Sequence, residues 1–260
     1  MVTGTPNPTV NPTGTRGIEY ALGVAVRKAF RRRLKQVERQ LRRNERAIER
    51  HIRTEGRLDP GSIEIVLAGL AGVSDDIRPA VFASIMTAWN KGDKDTLQML
   101  PGQTPPPNKA LLTALQQNTF GYIQKFTTEM KTELRSILTD GVSQGDSVYQ
   151  LGKEIRKAFR TNAWRSETIA RTEIIKGYDE GAEARFEAGG IKEYEWMSAS
   201  DEVVRPLHLA MSGRRFPRKA RGTTRITDAT GKTHEIPASP RPNGEGLWPN
   251  CRCRRIPVVE

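Results

Sequence analysis

The chain has 260 residues, 36% of them hydrophobic and 28% charged, with a formal net charge of +12. No run approaches the roughly 18 apolar residues of a membrane span, and two cysteines exclude a disulfide framework. This length suits one large domain or two modest ones, and so basic a balance points to a polyanionic partner, either nucleic acid or an acidic protein surface.

The opening MVTGTPNPTVNPTGT has neither the basic n-region nor the apolar h-region of a signal peptide. The expectation is a soluble protein made in a reducing cytoplasm. Residues 1–17 are mostly Pro, Thr, Asn and Gly, too polar to order by themselves, and are expected to form a tail that orders against a partner. A basic helical region is expected over 18–100. Within 19–55, Phe30, Leu34, Val37, Leu41, Ile48 and Ile52 recur at three, four and seven residues, a thin apolar stripe on a helix otherwise covered by Arg and Lys. Between Arg27 and Arg46 lie ten Lys/Arg and two acids. Arg27, Lys28, Arg31, Arg32, Arg33, Arg42 and Arg43 are the candidate contacts to DNA or to an acidic protein surface. His51, on this helix, is expected to be a solvated side chain.

Asp59-Pro60-Gly61 ends that pattern. A short apolar helix is expected over 62–70, then one capped at 74–76 that ends at Trp89 or Asn90. The stretch from Gly92 to Asn108, with prolines 101, 105, 106 and 107, reads as a linker or an irregular loop, and the Pro-rich linker itself is placed at 101–108. A helical core is expected over 109–190: one helix over 109–138 broken by Gly141 and Gly145, one through Phe159, and one from Thr161 or Asn162 to Ala188, stopped by Gly189-Gly190. From 191 to 260 the grammar becomes that of a small β-rich knot. Residues 192–198 alternate with Tyr194 and Trp196 on one face, a hairpin turns at 228–232, and 254–259 is a last strand. Six basic residues and no acid lie between Ser212 and Arg225. The expected fold class is therefore α+β, mainly helical, closed by short C-terminal strands.

Neither a phosphate-binding Gly loop nor a GxSxG, HExxH or kinase signature is present. The chemistry-bearing cluster is Asp201, His208, Cys251 and Cys253. Side chains two apart in an extended segment point the same way, so the two thiols can converge, and Zn2+ accepts thiolate, imidazole and carboxylate in tetrahedral geometry. Such a structural ion would staple a knot with little core. Two half-buried thiols with a surface histidine, His234 in place of Asp201, and a strained Cys251–Cys253 disulfide are the alternatives.

The run Ile169-Ala170-Arg171-Thr172-Glu173, then Gly181, Gly189-Gly190, Trp196, the stretch from Asp201 to His208, Ser212-Gly213 and the closing Trp248-Pro249-Asn250-Cys251-Arg252-Cys253 together resemble the phage Mu F-like head morphogenesis family over about residues 143–257. The resemblance implies a minor head protein of a tailed phage or prophage. Such a protein is virion-bound and portal-associated, lies inside the capsid near the portal after synthesis in the host cytoplasm, and takes part in assembly, packaging or genome ejection. Its implied partners are the portal protein, the major capsid protein and packaged double-stranded DNA, with no membrane. The chain departs from the resemblance where many members carry Cys-x-x-Cys and this one has Arg205-Pro206-Leu207-His208, and where many carry His and this one has Trp248. Arg171, Glu173 and Trp196 match the pattern and are expected to be structural. Arg171 either pairs with Asp201 or Glu202 of the knot or is simply exposed. Some members continue into a toxin or transferase domain; with seven residues after Cys253, none is expected here.

No catalytic residue is expected. A metal-dependent enzyme acting on nucleic acid would need clustered carboxylates, which are not evident near His208. A free DNA-binding regulator would need a base-reading module, and none is recognisable.

Overall fold

A computed structural model describes residues 12–55, 60–102, 105–106, 110–199, 204–243 and 250–259, with the side chains of 51–52, 110–111, 114–123, 161–164 and 166 outside the description. Seven α-helices are described: α1 Arg16–Arg43, α2 Glu45–Glu55, α3 Pro60–Leu67, α4 Val73–Leu97, α5 Ala110–Ser143, α6 Val148–Ala188 and α7 Pro206–Met211. The strands are β1 Glu193–Met197, β2 Arg215–Pro217, β3 Thr223–Thr227, β4 Thr233–Pro237 and β5 Arg254–Pro257. The fold is mainly helical α+β with short antiparallel strands at the C-terminal end, as the periodicities imply.

The chain divides into two compact units. The first draws on Gly23–Val81 and Asn118–Glu167 and is wholly helical among its described residues. Its core holds Val37, Leu41, Ile48, Leu70, Ile77, Leu138, Leu151 and Ile155, all nearly inaccessible. Phe30 meets Phe126 edge to face with ring centroids 5.2 Å apart. The single period expected over 19–55 is two helices that meet at Asn44, whose side-chain amide donates to the Gln40 carbonyl at 2.8 Å. Gly141 does not break α5. A Cβ there would lie 2.5 Å from Leu151 Cδ2, so the glycine permits close packing inside a continuous helix.

The second unit draws on Met1–Leu22, Phe82–Gln117 and Thr168–Glu260. Here α4 runs to Leu97, past the expected end at Trp89 or Asn90. The reason is Gly92. A Cβ on it would sit 1.9 Å from the Tyr178 carbonyl oxygen, and a Cβ on Gly181 would sit 2.0 Å from that of Trp89. These two glycines let the α4 and α6 backbones touch, so they serve packing and not punctuation. The helix α6 is likewise unbroken where a boundary near 160 was expected.

Strand β1 is the centre of a three-stranded antiparallel sheet in the order β2-β1-β5, and β3 and β4 form a separate hairpin. Tyr194 and Trp196 share the buried face of β1, as the alternation requires, and both are fully inaccessible. They pack with Phe186, Leu207, Met211, Phe216, Ile226 and Ile236 around the two cysteines. The hairpin turns on Asp228, whose carboxylate accepts from the Thr230 amide at 2.9 Å, the Thr230 hydroxyl at 2.6 Å and His234 Nε2 at 2.8 Å. His234 is thus engaged by Asp228. The elements that local pattern missed are α7 and β2, six and three residues long.

A buried ionic lattice joins α6 to the last strand. Arg255, with a fully buried side chain, donates to Asp179 at 2.7 and 3.0 Å and to Glu183 at 2.7 Å. Arg241 reaches the same Asp179 at 2.7 Å. Burial pushes the Asp179 pKa up, but the Arg255 and Arg241 charges beside it outweigh burial and hold it below the usual carboxylate range. Arg185 pairs with Asp93 at 2.6 Å and caps the Pro105 carbonyl at 2.8 Å.

The expected loose tail gives way to order from Pro12 onward. Thr13 and Thr15 are buried, and the Thr15 carbonyl accepts the amides of Ile18 and Glu19 at the start of α1. Residues 1–11, with the rest of that expectation, lie outside the described residues.

Candidate metal centre

Three donors converge inside the knot. His208 stands on α7, positioned by Pro206 in the first turn of that helix. Trp196 of β1 meets the His208 ring edge to face at 5.8 Å and 83°, which fixes the imidazole plane. Cys251 and Cys253 lie in the extended segment that leads into β5 and point the same way, as the two-residue spacing requires. His208 Nδ1 lies 3.3 Å from Cys251 Sγ and 3.5 Å from Cys253 Sγ. One ligand atom from each of the three residues falls within 4.8 Å of the others. All three residues are almost fully buried, and neither cysteine is in a disulfide.

The two thiols share their protons unequally. Cys251 is pushed down to about 5, chiefly because the Cys253 thiol donates to it; burial opposes this, and hydrogen bonding and charge from His208 assist. Cys253 is pushed well up, because it keeps the proton it donates and because it is buried. The Cys253 amide also donates to Cys251 Sγ at 3.3 Å, a bond that favours the thiolate.

This set fits a tetrahedral thiophilic ion. Bonds of about 2.0–2.3 Å to nitrogen and sulfur put adjacent ligands roughly 3.5–3.8 Å apart, within a few tenths of an ångström of the separations here. A cavity of about 20 Å³ adjoins the donors, bordered by Ala199, Val204, Arg205 and Arg252, and is of a size for one water or ion. Asp201, the fourth expected ligand, and Glu202 lie outside the described residues.

The loop that presents Cys251 is clasped by Asn243, which sequence reasoning did not find, and by Arg171 and Thr172 of the run 169–173 in α6. Asn243 accepts from the Cys251 amide at 2.9 Å and donates to its carbonyl at 3.1 Å. Asn250 donates its amide to Thr172 Oγ1 at 3.0 Å and accepts from Arg171 Nη1 through its side chain. Asn243 and Asn250 both take left-handed backbone, at φ 55° and 71°, a conformation asparagine tolerates better than most residues. The only local signal for Asn243 was the turn-forming pair Asn243-Gly244. Arg171 does reach the knot, through Asn250, and also bonds Glu19 at 3.3 Å. Glu173 is buried and pairs with Lys176 at 3.4 Å.

On the basic helix, Arg27 is paired with Glu167 at 2.6 Å and Arg33 with Asp76 at 2.8 Å. Lys28, Arg31, Arg32, Arg42 and Arg43 are exposed.

Fold and site define a helical domain closed by a small β-knot with a buried His–Cys–Cys centre. Residues 132–256, which hold the end of α5, all of α6 and nearly the whole knot, match the family described as Phage Mu protein F like protein. An uncharacterized protein of Haemophilus influenzae (strain ATCC 51907 / DSM 11121 / KW20 / Rd) is 26% identical over 149 residues, 57% of this chain. The matched part is 30% of that relative's length. No solved structure matches the chain significantly.

Proposed function

We propose that the chain is a minor head protein of a tailed phage or prophage, a non-catalytic part of head morphogenesis that sits inside the capsid near the portal. The observation that carries this reading is the family match over 132–256, whose closing residues form the knot around His208, Cys251 and Cys253. In this reading the portal protein is the main partner, with packaged DNA and the major capsid protein as further ones, and the protein serves packaging or genome ejection. No described helix is long and apolar enough to cross a membrane.

The proposed metal is a structural Zn2+ held by His208, Cys251, Cys253 and Asp201. When bound it would supply cohesion to the knot. The proposed polyanion-facing surface is α1, where Lys28, Arg32, Lys35, Arg39 and Arg42, spaced by three or four, form an exposed stripe. Arg31 and Arg43 extend it. Arg27 and Arg33 are committed to ion pairs, so they support the helix more than they face a partner.

The test is to purify particles from a host that expresses the chain, digest them and look for its peptides, then repeat with the gene deleted. The expected outcome is peptides in the particle and a loss of DNA-filled heads on deletion. Normal filled heads lacking the protein would overturn the reading.

A further inference from the structure

The loop that carries Cys251 and Cys253 is tied at both ends to residues 12–19, which are more than 200 positions away in sequence. Before the cysteines, Asn250 is held by Arg171, and the same guanidinium donates from Nε to Glu19 Oε2 at 3.3 Å. Glu19 is 8% exposed and accepts at its other oxygen from Thr15 Oγ1 at 2.8 Å; Thr15 in turn meets Thr13 Oγ1 at 2.7 Å. After the cysteines, Arg254 Nη1 donates to the Pro12 carbonyl at 2.8 Å. A carboxylate and a carbonyl of the N-terminal segment therefore each fix an arginine that borders the ligand loop. Asn250 sits in left-handed backbone, which asparagine adopts at small cost and which its neighbours here hold in place. Arg171 and Thr172 supply that constraint, and Glu19 orients Arg171.

We propose that residues 12–19 are the outer shell of the metal centre, with Glu19 and Arg171 as positioning residues, so that metal occupancy and docking of the N-terminal segment are thermodynamically linked. The proposal rests on the metal reading given above. Outer-shell partners typically change metal affinity by about 10–100-fold. Linkage is reciprocal, so the factor by which docking favours the metal is the factor by which the metal favours docking. A loaded knot holds residues 12–19 on this unit more tightly, by that factor, than an empty one does.

The test uses the full chain and zinc alone. Zinc affinity is measured by chelator competition for the wild type, Glu19→Gln and Arg171→Lys. Hydrogen exchange over residues 12–19 is followed in the wild type with and without zinc. The expected result is affinity at least about tenfold weaker in both variants, with the thiolate-to-cobalt charge-transfer band of the Co2+ form retained because the ligands are unchanged. Zinc is expected to slow exchange over 12–19 by a comparable factor. If zinc leaves that exchange unaltered, or Glu19→Gln binds as tightly as wild type, the linkage is overturned while the metal reading stands. A wild type that binds no zinc removes the metal reading itself. The exchange measurement needs no variant, so misfolding of a variant does not protect the proposal.

Discussion

Cys251, Cys253 and His208 differ in how visible they were. The two cysteines were legible because a two-residue spacing in extended chain fixes a common direction. His208 was legible as a donor type, and its convergence on them is a product of α7, an element too short to announce itself through periodicity. Glu19, Thr172 and Asn243 were not legible, because each acts through a contact made by the tertiary fold. With the metal proposal, Cys253→Ser is expected to remove stoichiometric zinc while leaving most helical signal, since α1 to α6 do not depend on the ion. Elemental analysis with far-UV circular dichroism checks this, and zinc retained at wild-type level would exclude Cys253 as a ligand. Asp179 offers a prediction independent of metal. It faces two arginines, and one of them, Arg255, has no exposed side chain. Leaving a buried charge without its partner typically costs about 3–5 kcal/mol. Asp179→Asn is expected to lower urea-unfolding stability by that order. Because the folded pKa is depressed, the contribution is fully present above the unfolded value of about 3.9 and is lost as pH falls through the folded value. The wild-type-minus-variant difference should therefore be flat from pH 7 to about 4 and shrink below. A difference already falling near pH 6 would assign the effect to another group.

At the scale of elements, the 3.6 and 2.0 periods found the helical stretches other than α7 and most strands, because burial of one face imposes them. What they misplaced were boundaries marked by glycine. Gly92 and Gly141 looked like helix ends, yet both lie inside helices at positions where a neighbouring backbone or side chain leaves no room for Cβ. Local sequence cannot separate a glycine that stops a helix from one that lets another element approach, since the difference lies in what stands opposite. The expected boundary near 160 failed for a related reason: Thr161 and Asn162 have cap-forming side chains, but the continuous backbone of α6 makes no cap there. Gly181 tests the close approach of α4 and α6. Replacement by Ala gains helix propensity of roughly 1 kcal/mol, but its Cβ would meet the Trp89 carbonyl at 2.0 Å, a backbone atom that cannot move alone. Overpacking usually costs about 1–3 kcal/mol, so the net expectation is destabilisation. A parallel Gly190→Ala change, where a Cβ would meet nothing within 4 Å, separates sterics from strain: its cost reflects only the left-handed backbone at φ 69°. Equal or higher melting temperature for Gly181→Ala would show that the helices can part without penalty.

For the whole molecule, the net charge of +12 was the first functional clue. Part of the positive charge is consumed in ion pairs: Arg241 and Arg255 neutralise the buried Asp179, Arg185 the half-buried Asp93, and Arg27, Arg33 and Arg156 are also paired. Internal pairs of this kind add nothing to a field felt by a polyanion. Among the exposed basic residues, α1 carries a continuous stripe of Lys28, Arg31, Arg32, Lys35, Arg39, Arg42 and Arg43, and a second exposed group, Arg214, Arg215, Arg221 and Arg225, lies in the knot. Contacts to phosphates release counterions, and each adds about −0.9 to the slope of log affinity against log salt for duplex DNA. Changing Arg31 and Arg32 to Glu is expected to weaken duplex DNA binding for every sequence alike and to make the slope shallower by about 2. Arg33 is left out of this variant because reversing it would break the Asp76 pair and confuse lost contact with lost fold. Fluorescence anisotropy on two unrelated duplexes, titrated between low and moderate salt, reads both quantities. If slope and affinity stay at the wild-type values while the same variant loses an acidic protein partner, the stripe serves the portal and not the genome, and the excess charge of this chain is there for assembly.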